Sequence, residues 1–305
     1  MANDQSHDTR TTLSEDRVAA AVSLSVAGVS VGAFTPLVSI AASTLTNGSD
    51  FSTWKQSVVT DVQSKSGTQS VAITTNQTEV GSCPVGGSKV YAGYTGLPES
   101  VPVGSTIWYR VFCYFPSSYS FGYLWSTSDD AEANACGYTN NDGNGSLKFL
   151  VLDPESSNAR LYLNISSTRR ATGQPENAEL TLISEAGGVV TTGAYKLPLD
   201  GWVSIQIGVK LASDSTGWMR AWAGEQLIAE RLNMQTLSTS ATGLANFGIG
   251  NIFNGFPFTD GMAGRDTFYI DEIVLATDKE GFGTPNGIDA SGNAYIAPST
   301  LAAGI

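Results

Sequence analysis

Apolar and polar residues alternate through the segment that begins at Trp202. Val203, Ile205, Ile207, Val209 and Leu211 interleave with Ser204, Gln206, Gly208 and Lys210. That period of two gives a strand one apolar and one polar face. Turn residues from Ala212 to Gly217 follow, then a second strand over Trp218–Trp222, and Ala223-Gly224-Glu225-Gln226 turns the chain again. Similar strand patterns cover Val71–Ile73, Ser105–Phe115, Leu147–Leu152, Ala159–Ile165, Glu179–Ser184, Phe247–Gly250 and Phe268–Ala276. In Ser105–Phe115, Ile107, Tyr109, Val111, Cys113 and Phe115 fall on one face, and Trp108, Arg110, Phe112 and Tyr114 on the other. Both faces are largely apolar, which predicts a central strand. Residues 79–104 read as loop, with Pro84, Gly86, Gly87, Pro98 and Pro102, and Leu227–Met234 is the place for a short helix. Many short strands with frequent turns predict an all-β protein, two antiparallel sheets packed as a sandwich.

The pattern divides the chain into three parts. Residues 1–44 are a polar leader and an uncharged arm, residues 45–277 the sandwich with Phe51 and Trp54 as first anchors, and residues 278–305 an extended tail. No charge occurs from Val18 to Leu45. The length suits a membrane-spanning helix, but Val22–Val26 and Val29–Val31 alternate like strands and Pro36 interrupts the run. An arm that pairs with another chain is the favoured reading over membrane insertion. The leader carries Asp4, Asp8, Glu15 and Asp16 against Arg10 and Arg17, the wrong sign for the start of a secretory signal.

Composition narrows the chemistry. A net charge of −12 with only 14% charged residues argues against nucleic acid as a partner. The single histidine, His7, lies in the leader. This excludes a Ser-His-Asp or Cys-His arrangement and a histidine-held zinc from the folded part. The three cysteines are Cys83, Cys113 and Cys136. Cys113 reads as a small buried apolar residue, while Cys83 and Cys136 sit in loop-like sequence where one bridge is an open alternative.

The order of motifs resembles a known group. Phe51 and Trp54 come first, then the aromatic strand Trp108–Pro116 and Leu147-Lys148-Phe149. Gly201-Trp202 with its alternating strand, Trp218–Gly224 and Tyr269-Ile270-Asp271-Glu272-Ile273 follow. This resembles the concanavalin A-like jelly roll, in the branch holding laminin-G-like modules, carbohydrate-binding modules and polysaccharide lyases. The resemblance implies a concave sheet that binds sugar, and residue by residue it points to Arg110, Lys148, Arg160, Tyr162, Asn164, Gln206 and Arg220. The side chains suit that role: cations bind uronate carboxylates, amides bind hydroxyls, and aromatic faces stack on sugar rings. The competing explanation is the alternation of any sheet with one solvated face.

The resemblance also implies activities. A lyase needs a carboxylate neutraliser and a base–acid pair, and without histidine the candidates are Tyr162, Arg160 and Asn164, with Arg160 lowering the tyrosine pKa. Glycoside hydrolysis needs two facing carboxylates, and no Glu-x-Asp-x-x-Glu strand is present. A structural calcium ion is implied at Asp50 and Asp271, and Asp129, Asp130 and Asp142 form a second acidic candidate, with a solvated acidic turn as the alternative.

These features favour a non-enzymatic virion protein of bacteriophage type, a capsid decoration or tail-fibre component. It would act outside the cell after release without a signal peptide. Its jelly roll would bind a glycan for adhesion, and residues 18–45 and 278–305 would contact other virion subunits or a second copy. The alternatives are a polysaccharide lyase acting on uronate-containing glycans and a pure assembly protein without ligand.

Overall fold

The computed structural model describes residues 34–42, 57–74, 93–119, 146–167, 178–254 and 267–298. Within them lie β1 (Val38–Ile40), β2 (Ser57–Thr60), β3 (Ser70–Thr74), β4 (Gly93–Pro102), β5 (Thr106–Tyr114), β6 (Ser146–Glu155), β7 (Leu161–Ser167) and β8 (Ala178–Ser184). They continue as β9 (Gly188–Lys196), β10 (Trp202–Lys210), β11 (Gly217–Ala223), β12 (Gln226–Met234), β13 (Gly243–Asn254), β14 (Thr267–Thr277), β15 (Gly287–Ile288) and β16 (Ala294–Tyr295). No α-helix occurs among the described residues. The eight-stranded sheet has the order β12-β11-β10-β5-β14-β3-β2, with β1 also on β14, and the six-stranded sheet runs β4-β13-β6-β7-β8-β9. All the pairings are antiparallel, so the expected all-β jelly-roll sandwich is the observed fold.

Alternation decides which side chains the sheets bury. Ile107, Tyr109, Val111 and Cys113 of β5 and Ile205, Ile207 and Val209 of β10 share one core with Leu161, Leu163 and Ile165 of β7 and with Leu244, Phe247 and Ile249 of β13. The two inner faces meet where Tyr109 packs edge-on against Phe247, ring centroids 5.7 Å apart, and donates its hydroxyl to the Gly248 carbonyl at 3.2 Å. At one end Phe115 stacks on Phe268 at 4.9 Å, with Phe149 against both.

Several local expectations are corrected. Leu227–Met234 is strand β12, because Gly224 (φ 59°) lets a two-residue loop return the chain onto β11, pairing Ala223 with Gln226. Tertiary pairing outweighs the helical propensity of Leu, Ala, Glu and Arg. Residues 93–102, expected as loop, are β4. This is an edge strand of the six-stranded sheet, where Pro98 and Pro102 are tolerated. Strands β2 and β9 were not expected at all.

In β14 the register slips between Asp271 and Val274. Glu272 there takes φ 50°, a left-handed conformation uncommon outside glycine. The bulge changes the parity of the strand. Phe268 and Ile270 point into the core before it, and Ile273 and Leu275 after it.

Both termini of the described chain fold back onto its own sheets. Val38–Ile40 pairs with Leu275–Ile273 of β14. Of the uncharged arm, the described residues 34–42 thus supply a strand to this chain's own sheet. The C-terminal segment was expected as a contact to other subunits. Instead it forms the β15–β16 hairpin and covers the outer face of the eight-stranded sheet. There Tyr295 and Ile296 pack with Trp108, Trp222, Val274 and Phe34. Among the described residues no helix is long and apolar enough to cross a membrane.

Candidate functional site

The candidate sugar-binding residues do not share one groove. Arg110, Gln206 and Arg220 lie on the eight-stranded sheet, and Lys148, Asn164, Tyr162 and the adjoining Arg160 on the six-stranded sheet. Because the apolar faces meet in the middle, the two groups sit on opposite outer surfaces. Alternation fixes each residue's face within its own strand, but not which strands share a sheet.

Arg110 and Gln206 do face each other across β5 and β10, but the C-terminal segment buries both. Gln206 Oε1 accepts from the Ile296 N–H at 3.0 Å, and Arg110 Nη1 donates to the Ala297 carbonyl at 2.5 Å. Trp108 Nε1 donates to the Ala294 carbonyl at 2.9 Å and Trp222 Nε1 to Asp289 Oδ2 at 2.9 Å. Arg110 Nη2 lies 3.7 Å from Glu272 Oε2. Burial pushes the guanidinium down to about 10, against the upward pull of Glu272. These residues hold the tail and form no open binding surface. Arg220 is paired with Glu230 at 2.6 Å and stacks over Trp218.

The outer face of the six-stranded sheet brings the other four together. β6, β7 and β8 run side by side. Leu161 is opposite Leu152 and Ser184, so Arg160 meets Asp153 on one side and Glu185 on the other. Arg160 Nε donates to Asp153 Oδ1 at 3.2 Å, and the Arg160 backbone N–H donates to Glu185 Oε2 at 2.9 Å. In the next row Tyr162 stands between Val151 and Ile183, and beyond it Asn164 between Lys148 and Thr181. A bulge between Lys148 and Leu150 buries both Phe149 and Leu150 in the core while Lys148 stays on the outer face. The lysine side chain then crosses the tyrosine. Its Nζ lies 4.3 Å from the Tyr162 ring centroid and 2.8 Å from Glu185 Oε1.

The electrostatics of this face correct the expected role of Tyr162. Burial pushes its phenol up to about 12, Glu185 adds to the rise, and Arg160 opposes it without reversing it. The Arg160 guanidinium is engaged by Asp153. Arg160 therefore does not lower the Tyr162 phenol below its ordinary value, as the expected base role required. Burial raises the Glu185 carboxyl, but the bonds from Lys148 and the Arg160 N–H outweigh it and hold the group below its ordinary value. Glu185 and Asp153 were missed from sequence. Glu185 continues the outward alternation Thr181, Ile183, Glu185 one residue past the end of β8, and that parity is the signal that marks it.

The implied calcium site does not fit Asp271. Its Oδ1 accepts from the Ala42 and Glu272 N–H groups at 3.1 and 2.8 Å. Its Oδ2 accepts from the Lys65 and Ser66 N–H groups at 3.2 and 3.1 Å and from the Ser66 hydroxyl. Donors fill the shell that a cation needs lined with oxygens. Asp50, Asp129, Asp130 and Asp142 lie outside the described residues, as do Cys83, Cys136, Phe51 and Trp54. Among the described residues no three acidic, Cys or His groups cluster in a way that would hold a metal.

With the fold and this face in view, comparison with known proteins identifies the family. The polysaccharide lyase family model matches residues 31–274, and the chain belongs to that family. No curated protein matches it. Among solved structures, the endo-β-1,4-glucuronan lyase of the fungus Trichoderma reesei is 11% identical over 72% of this chain and 87% of its own, with a TM-score of 0.45. The marine PL-14 alginate lyase of Aplysia kurodai is 15% identical over 80% of this chain and 99% of its own, TM-score 0.44. Alginate lyase vAL-1 of Chlorella virus is 12% identical over 79% and 99%, TM-score 0.47. All three are distant likenesses. The family match overturns the expectation of a non-enzymatic virion protein, which rested on composition and on a resemblance at the level of the fold. A glycan remains the partner, as an enzyme of this family requires.

Proposed function

We propose that this protein is a lyase that cleaves a uronate-containing polysaccharide by β-elimination on the outer face of the six-stranded sheet. The observation that carries the reading is Lys148 laid across the ring of a protonated Tyr162, with Asn164 beside it. In such a cleavage the C5 proton passes to a solvent base, the C4–O bond breaks, C4=C5 forms, and the leaving oxygen takes the Tyr162 proton, which solvent then restores to the phenolate. Withdrawing the C5 proton requires that the uronate carboxylate be neutralised, which Lys148 and Arg160 supply as cations. Tyr162 supplies the proton to the leaving oxygen. Its raised pKa keeps it protonated, the state a general acid needs. Asn164 offers a donor and an acceptor to sugar hydroxyls.

The test is a continuous assay of unsaturated uronate ends released from uronate polymers by the full chain. Turnover by the wild type and its loss in Tyr162→Phe support the reading. Binding without turnover in the wild type would reduce this face to a glycan-binding surface.

A further inference from the structure

Among the described residues Lys148 and Arg160 are the cations beside Tyr162 on this face, and each already has an acidic partner. Glu185 holds Lys148 at 2.8 Å and Asp153 holds Arg160 at 3.2 Å. A substrate carboxylate thus meets a surface whose charges are already balanced. The two partners differ. Asp153 sits beside Arg160 at the margin, directly opposite it in register. Glu185 draws the lysine over the tyrosine ring, and its second oxygen is anchored by the Arg160 N–H at 2.9 Å. Its carboxylate therefore bonds one ammonium and one backbone N–H beside the phenol. Those are the donors a uronate carboxylate would use when its sugar lies on Tyr162.

We propose that Glu185 is a built-in stand-in for the substrate carboxylate, and that substrate binds by displacing it from Lys148. This rests on the lyase reading of the same face. Glu185 is then a specificity-determining residue. A uronate can repay the broken ion pair with its own carboxylate, whereas a neutral sugar cannot, so the pair screens out neutral glycans. The competition also weakens binding of every uronate, because part of the interaction goes to releasing Glu185. The face is approached from Lys148 on β6, Asp153 on β6, and Arg160 and Tyr162 at the start of β7. Of these groups only Lys148 and the Arg160 N–H touch the Glu185 carboxylate.

The experiment compares the wild type with Glu185→Gln, which keeps an acceptor for the Arg160 N–H but removes the charge. The uronate polymer is the substrate, and the same polymer with its carboxyl groups reduced is tested as a competitive inhibitor. Glu185→Ala serves as a control that loses the acceptor as well, and melting temperatures confirm that both variants fold. We expect KM for the uronate polymer to fall on the order of tenfold in Glu185→Gln, the scale of one charge-assisted bond. The gain should shrink at high salt, and the variant should discriminate less against the reduced polymer. An unchanged or higher KM in a folded variant, with the wild type turning over, overturns the proposal and leaves the lyase reading standing. If neither protein turns over, calorimetry with a uronate oligosaccharide separates the two ideas. Tighter binding by Glu185→Gln keeps the displacement proposal and removes the lyase reading, and no binding by either removes both.

Discussion

Lys148 reaches Glu185 only by lying over Tyr162, its Nζ 4.3 Å from the ring centroid and 2.8 Å from the carboxylate. On the proposed lyase reading, Lys148 is the cation that meets the substrate carboxylate. Replacing Lys148 by Met keeps an apolar stem on the ring and removes the charge. Stability should change by no more than about 1 kcal/mol, as for other partly exposed pairs. KM for a uronate polymer should rise by about tenfold, the scale of one charge-assisted bond. Steady-state kinetics and a thermal melt on the same sample check both. A large loss of stability with unchanged KM would make Lys148 a structural residue.

On the opposite surface Arg110 and Glu272 form a buried pair with little compensation. The guanidinium is fully buried, Glu272 is 4% exposed, and Arg110 Nε and Nη2 have no hydrogen-bond partner. Arg110→Met strands the glutamate and should cost about 3–5 kcal/mol, whereas Arg110→Met with Glu272→Leu should recover most of that loss. Chemical denaturation of the two single variants and the double variant measures the coupling. Additive losses would show that the pair does not act as a unit.

The C-terminal hairpin is fastened by Asp289, which takes the Trp222 indole N–H at 2.9 Å and the N–H groups of Ser291 and Asn293, both at 2.9 Å. Burial raises this carboxyl, but these bonds outweigh it and hold the group below its ordinary value. The folded protein therefore binds that proton less tightly than the unfolded chain. The stabilisation is fully present above the unfolded carboxylate pKa and is lost as pH falls through the lower folded value. Hydrogen exchange over residues 287–298 should accelerate in that acid window in the wild type. In Asp289→Asn it should already be fast at neutral pH. Protection that is equal in both proteins would contradict this role.

The strand pattern made the sandwich legible because alternation is a local property. The inward faces of β5, β7 and β10 are those the sequence predicts, and Cys113 is buried as expected. Pairing is not local. Arg110 and Tyr162 each read as outward polar or amphipathic positions, yet β5 and β7 belong to different sheets. The tail was read as extended chain, and neither its β15–β16 hairpin nor its cover over Gln206, where the Ile296 N–H meets the amide oxygen, was legible. β12 was misread because its composition favours a helix, and only pairing with β11 makes it a strand. Tyr162 lies under Lys148. Its protonation was not legible, because that depends on burial and on Glu185, and Glu185 comes close to it only once β7 and β8 pair.

The most direct test of the account is the rate at which Tyr162→Phe produces unsaturated uronate ends, set beside its affinity for the same oligosaccharide. The variant removes one hydroxyl and keeps the ring that Lys148 covers. The account predicts wild-type affinity with turnover reduced by about 10²–10⁴-fold, the range for losing a general acid. Turnover within a few-fold of wild type would contradict it, and the chemistry would then have to lie elsewhere on the molecule.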